Sequence, residues 1–172
     1  MTIHSTHPFA DPDQDPARRF RGRLGGAVSL WTAGEERSQA GLTVSSLMLA
    51  GGEPARLLAL IDPDSDLADV LARTGRAVVS LLSWSHRDLA EAFAGRTPAP
   101  GGPFRMADFE PTAYGPALVG ATSRALVEVE ASIEVGWSLL LTCKIADLVV
   151  AEDDSPLLHR RGRYSTPSPE TT

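Results

Sequence analysis

The sequence predicts a mostly-β domain that closes its own sheet edges, and three observations carry that prediction. Residues 125–135 (ALVEVEASIEV) alternate: Val127, Val129, Ala131, Ile133 and Val135 share one face, and Glu128, Glu130, Ser132 and Glu134 the other. That is the pattern of a strand with one wet side. Residues 138–152 (SLLLTCKIADLVVAE) follow after only Gly136 and Trp137, which pairs the two segments as a long hairpin. Several shorter apolar runs sit between Gly and Pro turn signals, with two short helices inserted among six or seven strands, which favours a barrel over a parallel sheet.

The elements follow in chain order. Residues 1–14 (MTIHSTHPFADPDQ) are polar and proline-broken, the composition of a flexible N-terminal segment. Asp15 ahead of Pro16 reads as the cap of a short helix to about Leu24, stopped by Gly25 and Gly26. AVSLWTA (27–33) reads as a strand, GEER (34–37) as a hairpin turn, and AGLTVSSLMLA (40–50) as the returning partner. GGEP (51–54) breaks the chain before the buried-strand run ARLLALI (55–61). Ser65 caps a helix that aligns Leu67, Val70 and Leu71 and ends at Gly75. RAVVSLLS (76–83) is rich in β-formers. Ser85, three residues before Asp88, suggests a capping box for a helix that stacks Leu89 on Phe93 and ends at Gly95. Residues 96–103 are a loop, LLHRRGRY (157–164) a last strand or loop, and 165–172 a disordered tail. The folded domain is therefore expected over 15–164.

At 172 residues the chain is expected to form one domain with one sizeable core. A net charge of −6 argues against binding a nucleic-acid backbone or an anionic membrane surface. The basic residues are arginines apart from Lys144. Cys143 stands alone, which excludes an internal disulfide and a multi-cysteine zinc site. No signal peptide is visible and no apolar run approaches the roughly 20 residues of a membrane span. A cytoplasmic setting is the expectation.

Candidate chemistry is sparse. Asp62 and Asp64 precede a helix, where carboxylates suit the positive end of its dipole, and Asp153–Asp154 reads as a solvated turn. His4 and His7 lie in the loose N-terminus and His86 in a first helical turn. His159 stands in LHRRGRY, where the residues by themselves favour an exposed loop. No spacing fits a metal, and any serine can be paired with any histidine at this level. GRLGGA follows a helix and precedes a strand, the reverse of a dinucleotide-binding turn. The puzzling stretch is AGLTVSSLMLA: Thr43, Ser45 and Ser46 interrupt a run of Leu42, Val44, Leu47, Met48 and Leu49. Either the strand ends there in a turn, or its end cradles a polar ligand.

The order FRGRLGGAVSLWTA, AGLTVSSLMLAGGEPARLLALI, LADVLARTGRAVVSLL, DLAEAFAG and PLLHRRGRY resembles the flavin reductase-like family over roughly residues 16–164. Its most specific blocks are GLTVSSL and HRRGRY. The resemblance implies a Greek-key split β-barrel of the FMN-binding type, working as a homodimer with two flavin sites at the subunit interface. It implies an NAD(P)H-dependent flavin reductase that binds FMN or FAD, takes hydride from NADH or NADPH, and supplies reduced flavin to a partner monooxygenase. By position, Thr43, Val44, Ser45 and Ser46 would lie along the isoalloxazine edge and ribityl chain, with Trp31 and Thr32 contacting from the preceding strand. Ser65 and the helix behind it would meet the phosphate. His159 would stand near the nicotinamide, with Arg160, Arg161 or Arg163 near its phosphates and Tyr164 closing the block. Three features depart from the family pattern: the acidic DPDSD loop, Trp137 in place of an Asp-His pair, and the bulk of Trp31. A split barrel holding a flavin, deazaflavin or haem without reductase turnover, or a barrel with no cofactor, is the alternative.

Overall fold

A computed structural model describes residues 15–152 and 155–167. The segment 1–14 with His4 and His7, the pair Asp153–Asp154, and residues 168–172 lie outside these. The first helix is α1 (Pro16–Leu24), capped by Asp15, whose carboxylate accepts from the Ala17 N–H at 2.9 Å. Twelve strands follow among the described residues: β1 (Gly26–Ala27), β2 (Ser29–Ala33), β3 (Ala40–Val44), β4 (Leu47–Ala50), β5 (Arg56–Ile61), β6 (Arg76–Leu81), β7 (Phe109–Thr112), β8 (Gly115–Leu118), β9 (Arg124–Val135), β10 (Ser138–Val149), β11 (Leu158–Arg160) and β12 (Arg163–Ser165). Helices α2 (Asp66–Thr74) and α3 (Arg87–Phe93) flank β6 in the chain. The extra strands are two- to four-residue pieces too short to leave a periodic signal.

Seven strands form one curled antiparallel sheet in the order β3-β2-β6-β9-β10-β5-β4. Its two edges, β3 and β4, are consecutive in sequence and only Ser45 and Ser46 separate them. The run 40–50, expected to be one returning strand, therefore serves as both edges. It pairs with β2 as far as Val44, then joins β5 from Leu47. Each edge needs its ladder covered, and curling the sheet brings both to one seam. The Ser46 carbonyl accepts from Leu60 N–H at 2.9 Å and holds the kink there.

Inside the curl, Trp31, Leu67, Ala77, Val127 and Cys143 are fully buried. A second core of Val28, Leu30, Leu82, Leu89, Phe93 and Leu157 lies under α3, with Phe104 and Phe109 packed edge-on against Phe93. Strand β11 joins the barrel through Val28, Leu82 and Leu157, whose backbones bond in a ring at 2.8–3.0 Å.

Two expectations need correction. Ser85 does not cap α3: Ser83 caps the 3-10 turn 84–86 ahead of it, and His86, at the start of α3 itself, makes no side-chain cap bond. The Ser83 N–H donates to His86 Nδ1 at 3.2 Å across a single 3-10 turn, and α3 starts only at Arg87. The alternation over 125–135 also fails to hold one face. Val129 pairs with Cys143 but Ala131 with Thr142, so Glu130 is an extra, bulged residue. Beyond it the parity reverses. Ser132 now lies opposite buried Leu141, while Ile133 lies opposite Leu140 and is 56% exposed.

Candidate functional site

The seam at Ser45 adjoins a niche of about 60 Å³ lined by Val28, Thr43, Ser45, Ala94, Arg96, His159 and Tyr164. The hairpin β11–β12 delivers the last two. Gly26 of β1 lies opposite His159, and His159 opposite Tyr164, with the rings 5.4 Å apart edge to face. His159 Nε2 is buried and has no hydrogen-bond partner among the described residues. A buried, unsatisfied ring nitrogen is costly to keep. Burial holds the His159 pKa below the usual histidine value; the Arg96 charge adds to this, Glu91 opposes it, and Arg21 lowers it further. The ring is therefore neutral at pH 7. Burial and a hydrogen bond to Glu91 push Tyr164 up to about 12, so it remains a phenol.

Glu91 links this wall. Its carboxylate faces Arg96 at 3.4 Å, and its carbonyl accepts the Arg96 N–H at 3.0 Å. The fold-back follows from Gly95, whose φ of +68° lets the chain reverse over the last turn of α3. Arg96, Glu91 and Ala94 are absent from the sequence-based site. The signal for Arg96 was present in FAGR, since a glycine just past a helix returns the next residue onto its last turn.

The remaining expected residues divide sharply. Thr43 faces the niche, but its hydroxyl is given to the Ala90 carbonyl at 2.7 Å. Ser45 and Ser46 are exposed. Val44 is buried and contributes backbone only; its carbonyl accepts from Ser29 Oγ at 2.7 Å. Trp31 and Thr32 have no surface for a ligand: both side chains point into the core. The Trp31 indole donates to Ser29 Oγ at 3.1 Å and the Thr32 hydroxyl to the Pro116 carbonyl at 2.5 Å. Strand β2 is covered on both faces, so its bulk serves packing. Trp31 instead steadies the end of β3 through Ser29.

Ser65 caps α2, accepting from Ala68 N–H at 3.2 Å and donating to the Asp62 carbonyl at 2.7 Å. Its hydrogen is spent, which leaves backbone N–H groups as the donors at that helix start. Asp62 bonds the Asp64 N–H at 2.9 Å, the turn-forming role expected of it. Burial pushes Cys143 up to about 12, an inert thiol. Among the described residues no cluster of three or more His, Cys, Asp or Glu is placed to hold a metal ion. A wider, open cleft of about 1100 Å³ lies between the 34–39 turn and strands β7–β8, and contains none of these residues.

A curled antiparallel sheet whose two edge strands are consecutive, with a polar niche beside that seam, defines the split-barrel class. A family model described as "Flavin reductase like domain" matches residues 21–168, and the chain belongs to that family. FMN reductase (NADH) RutF from Ancylobacter novellus is 30% identical over 143 residues, spanning 83% of this chain and 78% of that protein. The 4-hydroxyphenylacetate 3-monooxygenase reductase component of Pseudomonas aeruginosa is 26% identical over 151 residues, 87% and 89% of the two chains. The structure of Streptomyces globisporus NADH:FAD oxidoreductase SgcE6 with NAD and FAD fragments superposes with a TM-score of 0.82 at 19% identity, over 94% and 98%. No helix among the described residues is long and apolar enough to cross a membrane.

Proposed function

We propose that this oxidoreductase is an NADH-dependent flavin reductase that takes FMN or FAD and works as a homodimer in the cytoplasm. The observation that carries the reading is the niche itself. It brings the Ser45 seam against His159, whose buried Nε2 lacks a partner. These residues suit the polar edge of a flat heterocycle: exposed hydroxyls on one side and an unsatisfied ring nitrogen on the other. FMN, when bound, supplies a ring that accepts hydride from the nicotinamide.

The chain's own part is to bind and align. Ser45 and Ser46 hold the heterocycle's polar edge, with Val44 and Thr43 fixed beneath them by Ser29 and Ala90. His159, neutral, offers one nitrogen to the nicotinamide side, and Tyr164 braces its ring. The start of α2 at Ser65 receives the phosphate through backbone N–H groups, against the opposing charges of Asp62 and Asp64. Stacking two rings within about 3–3.5 Å is the main catalytic demand, so no strong acid or base is required.

A niche of about 60 Å³ holds only part of a flavin, and the outer sheet face supports a second copy as the other wall. Met48, Leu58, Leu60, Leu140 and Ile133 lie on neighbouring strands of that face, with Met48 69% and Leu60 41% exposed. Exposed apolar area of this kind supports the homodimer reading. The two relatives' names support NADH as donor and a flavin-dependent monooxygenase as the consumer of reduced flavin. Oxidation of NADH and NADPH by the purified chain, with and without FMN, FAD or riboflavin, tests the reading. Stimulation by FMN with NADH is expected; no stimulation by any flavin sinks it.

A further inference from the structure

The protein is acidic overall, yet one face is not. Helix α1 carries Arg18, Arg19, Arg21 and Arg23, and the β11–β12 hairpin carries Arg160, Arg161 and Arg163, with no carboxylate on either element. Helix α1 buries none of its residues; Phe20 and Leu24 are 67% and 68% exposed. It is held by hydrogen bonds from the hairpin to its carbonyls instead. The Arg161 N–H donates to the Gly22 carbonyl at 2.8 Å and Arg160 Nε to the Arg23 carbonyl at 3.4 Å. Arg161 occupies the left-handed region at φ +53°, in a two-residue turn where glycine or asparagine fits more easily. A helix that adds nothing to the core, docked on the hairpin that carries His159, contributes its cations. Arg21 adjoins Gly22, whose carbonyl is bonded by the hairpin turn, and Arg96 lines the niche with His159.

We infer that Arg96, from the niche wall, and Arg21, from α1, form an anion clamp that seats the pyrophosphate of the nicotinamide dinucleotide, with Arg160, Arg161 and Arg163 as its positive rim. The inference rests on the NADH-dependent reading above. The chemistry selects this ligand because its two ends differ. An uncharged nicotinamide suits the neutral, half-buried His159, while two adjacent phosphates suit guanidinium forks beyond it. Glu91 ties one edge of the Arg96 guanidinium to α3, which restrains the side chain and leaves its other N–H donors for the ligand.

The test uses the full chain with FMN present. Dissociation constants of NADH and of reduced nicotinamide mononucleotide, which lacks the pyrophosphate, are measured by titration alongside NADH:FMN turnover. Arg21→Ala with Arg96→Ala is expected to weaken NADH by about 10- to 100-fold, the loss of one or two charge-assisted contacts, and to shift the mononucleotide by about threefold at most. Arg21→Glu alone, on an exposed helix where folding is not at stake, is expected to weaken NADH by at least about tenfold. Arg37→Ala, in the distant 34–39 turn, is the control and leaves both constants unchanged. Equal weakening of both ligands overturns the clamp, as does unchanged NADH binding. So does a loss confined to FAD against FMN, which assigns the arginines to the flavin's pyrophosphate, or to transfer of reduced flavin to an oxygenase, which makes the face a protein-docking surface. A wild-type chain that binds NADH in this manner but reduces no flavin overturns the functional reading and leaves the clamp standing.

Discussion

The two halves of the β9–β10 hairpin look alike in sequence and do opposite things. Before the bulge at Glu130, Ala125, Val127 and Val129 point into the barrel against Cys143 and Ile145, while Glu128 faces outward to Lys144 at 2.9 Å and Tyr114 at 3.1 Å. After it, Ala131, Ile133 and Val135 turn outward alongside Leu140 and Thr142, and Ser132 and Glu134 take the inner side. A single extra residue moves every following side chain to the other face. The near half builds a core, and the far half leaves an apolar surface exposed, with Ile133 and Val135 at 56% and 48%.

Charge on the far half is the sharpest way to break that comparison. If the chain pairs through this face as proposed, Ile133→Asp is expected to leave it monomeric at micromolar concentration, an effect doubled because both copies carry it, while the monomer stays folded. Sedimentation analysis reads the outcome, and an intact dimer contradicts the outward face. Val127→Ala, at the matching alternation point of the near half, should instead lower stability by about 1.5–3 kcal/mol and leave assembly alone. Denaturant melts separate the two. At the seam, Ser45→Ala with Ser46→Ala should weaken FMN by about 1–3 kcal/mol with no change in melting; unchanged affinity in the folded variant removes the cradle.

The niche predicts a pH signature that neither half of the hairpin has. Because the fold favours neutral His159, the unfolded chain takes up a proton as pH drops through the ordinary value of 6.5, and the native state lags behind. Stability should therefore fall with pH below 6.5, with no His159 contribution above it. His159→Gln should flatten that slope in melts collected from pH 7.5 downward. The smallest effect belongs to the outer charges. Arg56→Gln with Glu130→Gln removes an ion pair at 3.0 Å whose side chains are each 36% exposed, and should leave the melting midpoint and FMN affinity nearly as they were.

Much of this was legible in the chain. Asp15 and Ser65 cap the helices they announce, Gly75 ends α2 in the left-handed conformation, and the 27–33 and 40–44 strands pair as the GEER turn suggests. The caps are local effects, set by side chains within four residues, and the pairing crosses only a short turn. Thr43, Ser45, His159 and Tyr164 do meet, and the two blocks that carry the family resemblance contain all four. Trp31 misled because alternation says which residues share a face but not whether the two faces of β2 are covered by α2 and β8. Ser85 misled because a serine three residues from a carboxylate is only half of a cap, and Ser83 reached its partner, His86, first.

The sequence alone determined the β-rich character, the helix ends and the family, because propensity, capping and the order of short blocks are written along the chain itself. Tertiary structure decided which residues form the niche, where β9 reverses its faces, and that an arginine-lined helix stands beside His159. Those depend on register and on contacts between segments more than a hundred residues apart, where one inserted residue changes the answer and no local pattern records it.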